Sequence, residues 1–350
     1  MKKYDVYFGS IGSRGGTFVP SYEFNESDGS LTYKGKTDGL FNPSYTNFDH
    51  DYKLFFSVSK DRKTDKGFVY SWKVDGDQLI PAGRFHTGGD GPCYVMVDRT
   101  NTFVSAANYP SGSFKIWKFD SEGKLTPYGM AKRHRGSSID PKRQTHPYCH
   151  STVWSPWHDI VYVCDLGTDR VVWYKNNEKK QVFDKEGQVD ILPGSGPRHL
   201  TFHPNMQVAY LLNEIGNAVT SFKVLNNGAL IEMQHVSTVP DDFTEFSSGA
   251  DIHVSPDGKF VYASNRGHDS LAIFKTDQHG QVTLIGFAPT LGKSPRGFDI
   301  SPSGDWIICG NQDSMNVVVF RRDKKTGMLE PVHKYEDTGA GLVNVRFKLK

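Results

Sequence analysis

The chain has 350 residues, 37% of them apolar and 13% aromatic, enough to bury a large core in one or two domains. Its formal net charge of +2 excludes the dominant basic stripe of a dedicated nucleic-acid binder, and no window approaches the roughly eighteen apolar residues of a membrane-spanning helix. The four cysteines, Cys93, Cys149, Cys164 and Cys309, stand far apart, so neither a zinc site nor a disulfide framework is predicted, and buried free thiols in a reducing compartment are expected. "MKKYDVYFGS" begins with basic residues, but no apolar h-region follows them. The expectation is a cytoplasmic protein with no nucleic-acid or membrane partner.

In chain order, "DVYFGSIGSRGGTFVPSYEFNESDGSL" at the N-terminus predicts the second, third and fourth strands of a four-stranded unit whose first strand is missing. A Gly-x-Leu/Val signal after a polar turn then recurs: "GSL" at 29, "GDQL" at 76, "GKL" at 123, "GQV" at 187, "GAL" at 228, "GQV" at 280 and "GML" at 327. Seven units averaging about fifty residues match the period of propeller blades. One interval shows the unit in full. "ADIHVS" is a strand, "PDG" a turn, "KFVYASN" a strand, "RGHD" a turn, "SLAIFKTD" a strand, "QHG" a turn and "QVTLIGFAP" the closing strand. The C-terminal "GLVNVRFKLK" supplies the first strand that the N-terminus lacks, and pairing the two hides two open sheet edges. No segment carries helical periodicity and no linker divides the chain. The prediction is an all-β, seven-bladed β-propeller forming one domain over residues 1–350, four antiparallel strands to a blade.

The stretch "GPRHLTFHPNMQVAYLLNEIGN" reads as the first hairpin of one blade, with Arg198 at its entrance and Glu214 at its exit. The same sixteen-residue interval joins Ser44 to Lys60, Cys93 to Tyr109, His150 to Leu166, Ala250 to Arg266 and Arg296 to Gln312. These pairs are expected to be cross-strand neighbours at one face, ringing the mouth of the propeller channel. The predicted circle holds Lys60, Tyr109, His150, Arg198, Glu214, Arg266, Arg296 and Gln312, and carries +3 with His150 neutral. Converging cations in a concave mouth point to an anionic ligand. Arg198 and Glu214 alone read equally well as a cross-strand bridge. Arg266 faces Ala250 in this reading and Arg296 faces Gln312, so neither has an acid in its own hairpin.

Other features take structural readings. The Asn or Asp that ends most second strands (Asn108, Asp165, Asn213, Asn265, Asn311) is turn chemistry. "GSRGG" at 12–16 and "PGSG" at 193–196 lack the strand–helix context of a phosphate loop. The basic run at 132–146 is a long connection at the mouth, either solvated or guiding an anion inward. In "PDDFTEFSSG" (240–249), Phe243 and Phe246 form a lid or pack on a neighbouring loop.

"GPRHLTFHP", "NEIGNAVTSFKV", "SPDGKFVYASNRGHDSLAIF", "SPRGFDISPSGDWIICGNQDS" and "DLGTDRVVWY" resemble the lactonase family of seven-bladed propellers, which includes 6-phosphogluconolactonases and carboxymuconate-cyclising relatives. The likeness covers nearly the whole chain. It implies hydrolysis of a sugar lactone, foremost 6-phospho-D-glucono-1,5-lactone of the pentose phosphate pathway, without a cofactor or a metal. It also implies catalytic roles for His150 of "HPYCHS", Arg198 of "GPRHL", Glu214 and Arg266 of "NRGHD". Tyr148 stands where relatives often carry a second histidine. Ring opening needs an activated water, a stabilised oxyanion and a protonated leaving alkoxide. Glu214 is the expected base, weakened by a neighbouring Arg198, and His150 is the competing base or the acid. Arg198 and Arg266 would stabilise the oxyanion, Arg296 and Lys60 would hold the phosphate, and Tyr109, His199 and Gln312 would contact substrate. The alternatives are an enzyme acting on a muconate-type lactone and a non-enzymatic propeller scaffold. The six tryptophans lack the Trp-Asp phase of WD repeats.

Overall fold

The computed structural model describes residues 2–12 and 17–349, so "GSRGG" lies mostly outside the described residues. Among the described residues the chain forms strands and no helix. The strands make seven antiparallel sheets. Six follow chain order in fours, and one of the six gains a short extra strand, Lys132–Arg133, on Ser113–Phe119. In the remaining sheet the C-terminal strand Gly341–Leu349 lies beside Lys3–Ile11, pairing Val6 with Phe347 and Gly9 with Asn344. The missing first strand is thus supplied from the other end of the chain, as predicted.

Hydrophobic pattern explains where each strand sits. The second strands, such as Ile160–Asp165, Val208–Asn213 and Trp306–Asn311, are buried at every position, which needs a nearly continuous apolar run. The fourth strands, such as Leu230–Ser237 and Leu329–Tyr335, are mostly half-buried or exposed. Each sheet therefore runs from a core-facing side to a solvent-facing one.

The chain divides into two compact units. One comprises Met1–Gly39, His199–Val224 and Ile231–Lys350, and the other Leu40–Arg198 and Leu225–Leu230. In the first unit one core cluster gathers Phe260, Tyr262, Leu271 and Ile273 with Phe298, Ile307, Cys309 and Phe320. In the second unit Phe103, Trp154 and Phe183 pack ring on ring, with centroids 5.3–5.9 Å apart.

The repeated glycine has a steric cause. Gly327 sits at φ +77°, and a Cβ there would stand 2.3 Å from the Phe260 ring, while Tyr262 donates its hydroxyl to the Gly327 carbonyl at 2.8 Å. Six of the seven predicted glycines (29, 76, 123, 228, 280 and 327) take this left-handed conformation. The seventh reading is corrected. Gly187 lies inside the strand Val182–Asp190 opposite Trp173, and that sheet turns at 178–181 without glycine. Gly327→Ala is expected to cost about 2 kcal/mol or more, from left-handed strain plus overpacking, read as a lower urea midpoint with an unchanged m-value.

Candidate active site

Four of the six predicted cross-strand pairs are displaced by a recurrent β-bulge. Pro92 pairs with Asn108 but Tyr94 with Ala107, leaving Cys93 as the extra residue. His150 is extra between Cys149 and Ser151 in the same way, and Arg296 between Pro295 and Gly297. In the sheet of Ser248–Val254 the shift falls between Gly249 and Ile252, at Ala250 and Asp251. A symmetric sixteen-residue count assumes equal spacing on both strands, and a bulge adds a residue to one of them. Tyr109 therefore bonds to Gly91 rather than lying opposite Cys93, Leu166 bonds to Tyr148 rather than His150, and Arg266 lies opposite Ser248 rather than Ala250. Lys60 bonds to Phe41 rather than Ser44, and Gln312 to Ser294, although its side chain still receives Arg296 Nη1 at 3.1 Å.

In the first unit, Glu214 directly follows Val208–Asn213 and is buried. Its backbone carbonyl accepts from Gly249 N at 3.0 Å, and its Oε2 lies 3.3 Å from Arg266 Nη2. Arg266 has no acid in its own hairpin, as expected, and its acid comes from the neighbouring sheet. Arg266 Nη2 also donates to Ser248 Oγ and to the Gly249 carbonyl, both at 2.8 Å. Gly249 thus links the Glu214 backbone to the Arg266 guanidinium, whose Nε also donates to the Ser248 carbonyl at 3.3 Å.

Beside this pair runs a ladder of charge that is buried at His199 and Asp251 and half-buried beyond them. His199 Nδ1 meets Asp251 Oδ1 at 2.9 Å, and Asp251 Oδ2 meets His253 Nε2 at 3.2 Å. His253 Nδ1 lies 3.8 Å from Asp299, which lies 3.8 Å from Arg346. The bulge frees the Asp251 N–H from the strand ladder, and Ser264 Oγ accepts it at 2.9 Å. Burial alone would push Asp251 up, but the imidazoles on its two oxygens outweigh burial and hold it well below the usual carboxylate range. Burial pulls His253 down, and the flanking carboxylates more than offset it, leaving His253 raised. Asp299 is raised chiefly by burial.

In the second unit, His150 is buried and its ring meets Tyr109 edge-on at 5.1 Å. The Cys93 thiol donates to the His150 carbonyl at 3.1 Å. Tyr109 also contacts Tyr148, and Arg143 Nη2 donates to the Tyr109 hydroxyl at 3.3 Å. Arg198 is buried. Lys60 is ion-paired to Asp65 at 2.6 Å within its own hairpin. The 132–146 segment is largely anchored: His134 Nδ1 lies 2.8 Å from Asp165 Oδ2, Tyr174 faces His134 Nε2 at 3.0 Å, and Gln144 donates to the Leu166 carbonyl at 2.8 Å. Cys149 completes a buried cluster with His134 and Asp165. Protein partners satisfy the Asp165 carboxylate, with Tyr148 N and Gly167 N on its other oxygen, so the cluster acts as a tether.

The sequence model of the family described as "Lactonase, 7-bladed beta-propeller" matches residues 5–347. The chain belongs to the lactonase family of seven-bladed β-propellers. It is 34% identical over 333 residues to the 6-phosphogluconolactonase of Bacillus subtilis, covering 94% of each chain. Identity to the 6-phosphogluconolactonase of Formosa agariphila is 33%, over 90% of this chain and 91% of the relative. The solved structure of a periplasmic gluconolactonase, PpgL, from Pseudomonas aeruginosa aligns at TM-score 0.91 and 30% identity, covering 99% of both chains.

Two aspartates that the sequence did not single out shape the loops ahead of Arg198 and Arg296. Asp169, in the turn "LGTD", accepts from Gly194 N at 2.7 Å and Gly196 N at 2.6 Å, which shapes the "PGSG" loop leading to Arg198. Asp269, in "RGHD", accepts from Ser294 N at 2.8 Å on the approach to Arg296. Both adopt a left-handed backbone, and a polar residue four places into successive turns was their signal. Phe243 packs edge-on against His268 at 4.8 Å, whereas Phe246 is exposed. The Asn side chains that end second strands tie down neighbouring backbone, as in Asn311 to the Thr290 carbonyl at 2.9 Å. No helix in the described residues is long and apolar enough to cross a membrane.

Removing Arg266 takes an ion-pair partner from a buried carboxylate, so Arg266→Ala is expected to cost about 2–3 kcal/mol, measured by urea unfolding. His253 carries the pH prediction. Its folded value is raised above 6.5, so its contribution is complete below that pH and is lost as pH rises through the raised value. Unfolding midpoints of wild type and His253→Asn should therefore converge as pH climbs from 6 toward 9, on the order of the histidine range.

Proposed function

We propose that this lactonase opens a phosphorylated sugar lactone, foremost 6-phospho-D-glucono-1,5-lactone, to the corresponding acid. The observation that carries the reading is the buried Glu214–Arg266 pair clamped to Gly249. It sets a proton acceptor beside a rigid cation, and the names of the relatives support the substrate. Glu214 takes a proton from water as its oxygen attacks the lactone carbonyl. Arg266 stabilises the tetrahedral oxyanion. Arg296, braced by Gln312, binds the phosphate. His199 contacts the sugar and is a histidine able to protonate the departing ring oxygen. A cytoplasmic location belongs to this proposal, supported by four free cysteines.

The test is a hydrolysis assay on the phosphorylated lactone, unphosphorylated gluconolactone and a muconate-type lactone, with the uncatalysed rate subtracted. The phosphorylated lactone should give the highest kcat/KM, and inorganic phosphate should compete with it. Preference for the muconate-type lactone overturns the substrate assignment. Glu214→Gln should remain folded while kcat falls by roughly 10²–10⁴. Retained turnover in that variant, with His150→Asn inactive, would make the histidine the base.

A further inference from the structure

We infer that His199, oriented by Asp251, is the acid that protonates the leaving ring oxygen of the lactone. This rests on the lactonase reading above and identifies one of its proton carriers. A sugar alkoxide is a poor leaving group, so C–O cleavage calls for a proton donor poised at the ring oxygen. An imidazole performs this when a carboxylate holds one nitrogen, fixes the tautomer and stabilises the imidazolium. Asp251 does this for His199, with Oδ1 2.9 Å from Nδ1, and Nε2 is the nitrogen assigned to the substrate.

Asp251 is itself built for the task. It sits in the strand bulge, where Ser264 accepts its N–H, and His253 binds its second oxygen. The carboxylate therefore keeps its charge although buried. The dyad also adjoins the proposed chemistry. Asp251 lies two residues beyond Gly249, whose N–H holds the Glu214 carbonyl and whose carbonyl takes Arg266. His199 directly follows Arg198 in the strand Pro197–Phe202.

The step balances as follows. Water oxygen bonds to the carbonyl carbon and its proton passes to the Glu214 carboxylate. The tetrahedral oxyanion collapses, the carbon–ring-oxygen bond breaks, and its electron pair goes to the ring oxygen. That oxygen takes the Nε2 proton of the His199 imidazolium, giving hydroxyl and carboxylic acid. Passage of the Glu214 proton through solvent to His199 restores both groups, and the product acid ionises.

The experiment measures kcat, KM and the thermal midpoint of full-length wild type, His199→Gln and Asp251→Asn on 6-phosphogluconolactone. The expected result is a kcat lower by about 10²-fold or more in His199→Gln, with KM within about threefold and the protein folded. Asp251→Asn should lower kcat in the same direction with KM retained, because a neutral amide does not stabilise the imidazolium. If His199→Gln fails to fold, Asp251→Glu, which keeps the charge but displaces it by one methylene, should show the same split between kcat and KM. Wild-type kcat in a folded His199→Gln, or a change confined to KM, overturns the role. Wild type with no turnover of any sugar lactone removes the lactonase reading itself, and this role with it.

Discussion

An extra residue in the first strand of a sheet breaks the regular exchange of hydrogen bonds with the second strand, and much of the candidate site depends on that break. At Cys93, His150, Asp251 and Arg296 the strand carries one residue more than its partner. A regular strand would send neighbouring side chains to alternate faces in strict order. The bulge re-aims one side chain and releases its backbone N–H, which at Asp251 goes to Ser264. Polar residues thereby enter an otherwise apolar sheet without leaving that donor unpaired.

Charge burial is the second constraint. Within the first unit Glu214, Asp251, His199 and His253 are all largely removed from water, where an isolated charge would be strongly unfavourable. The structure resolves this by alternating signs: Glu214 against Arg266, and Asp251 between two imidazoles. Such pairs contribute little net stability but leave a large penalty when one partner is removed. Under the proposed mechanism their use is to hold donors and acceptors in place before substrate arrives, which is where electrostatic catalysis gains most. The hydrogen bonds of Asp169 and Asp269 to the loops ahead of Arg198 and Arg296 serve the same end through the backbone.

The architecture was legible in the amino-acid sequence because its signals are local. A turn glycine, two apolar runs and a polar turn recur often enough to count units, and the orphaned end strands identify each other by what each lacks. The repeat glycine is required where it faces Phe260 at positive φ, so it persists as a readable mark. Gly187 misled because a glycine packed beneath Trp173 in mid-strand carries the same letter. The family resemblance, carried by "GPRHL" and "NRGHD", was legible for the same reason, since each motif is a contiguous strand end with its turn.

Register and partnership were not legible. Counting residues symmetrically about a hairpin turn placed Arg266 opposite Ala250, and only the folded ladder revealed the added residue that sets it against Ser248. Nor does any short-range pattern join Glu214 to Arg266, or His199 to Asp251, because about fifty residues, one blade of sequence, separate the members of each pair. By itself the sequence determined how many sheets form, where most of their strands and turns fall and which charges stand at strand ends, since hydrophobic period and turn chemistry act over a few residues. The tertiary structure alone decided which charge meets which, because sheets distant in sequence bring those side chains together and burial then makes each pairing obligatory.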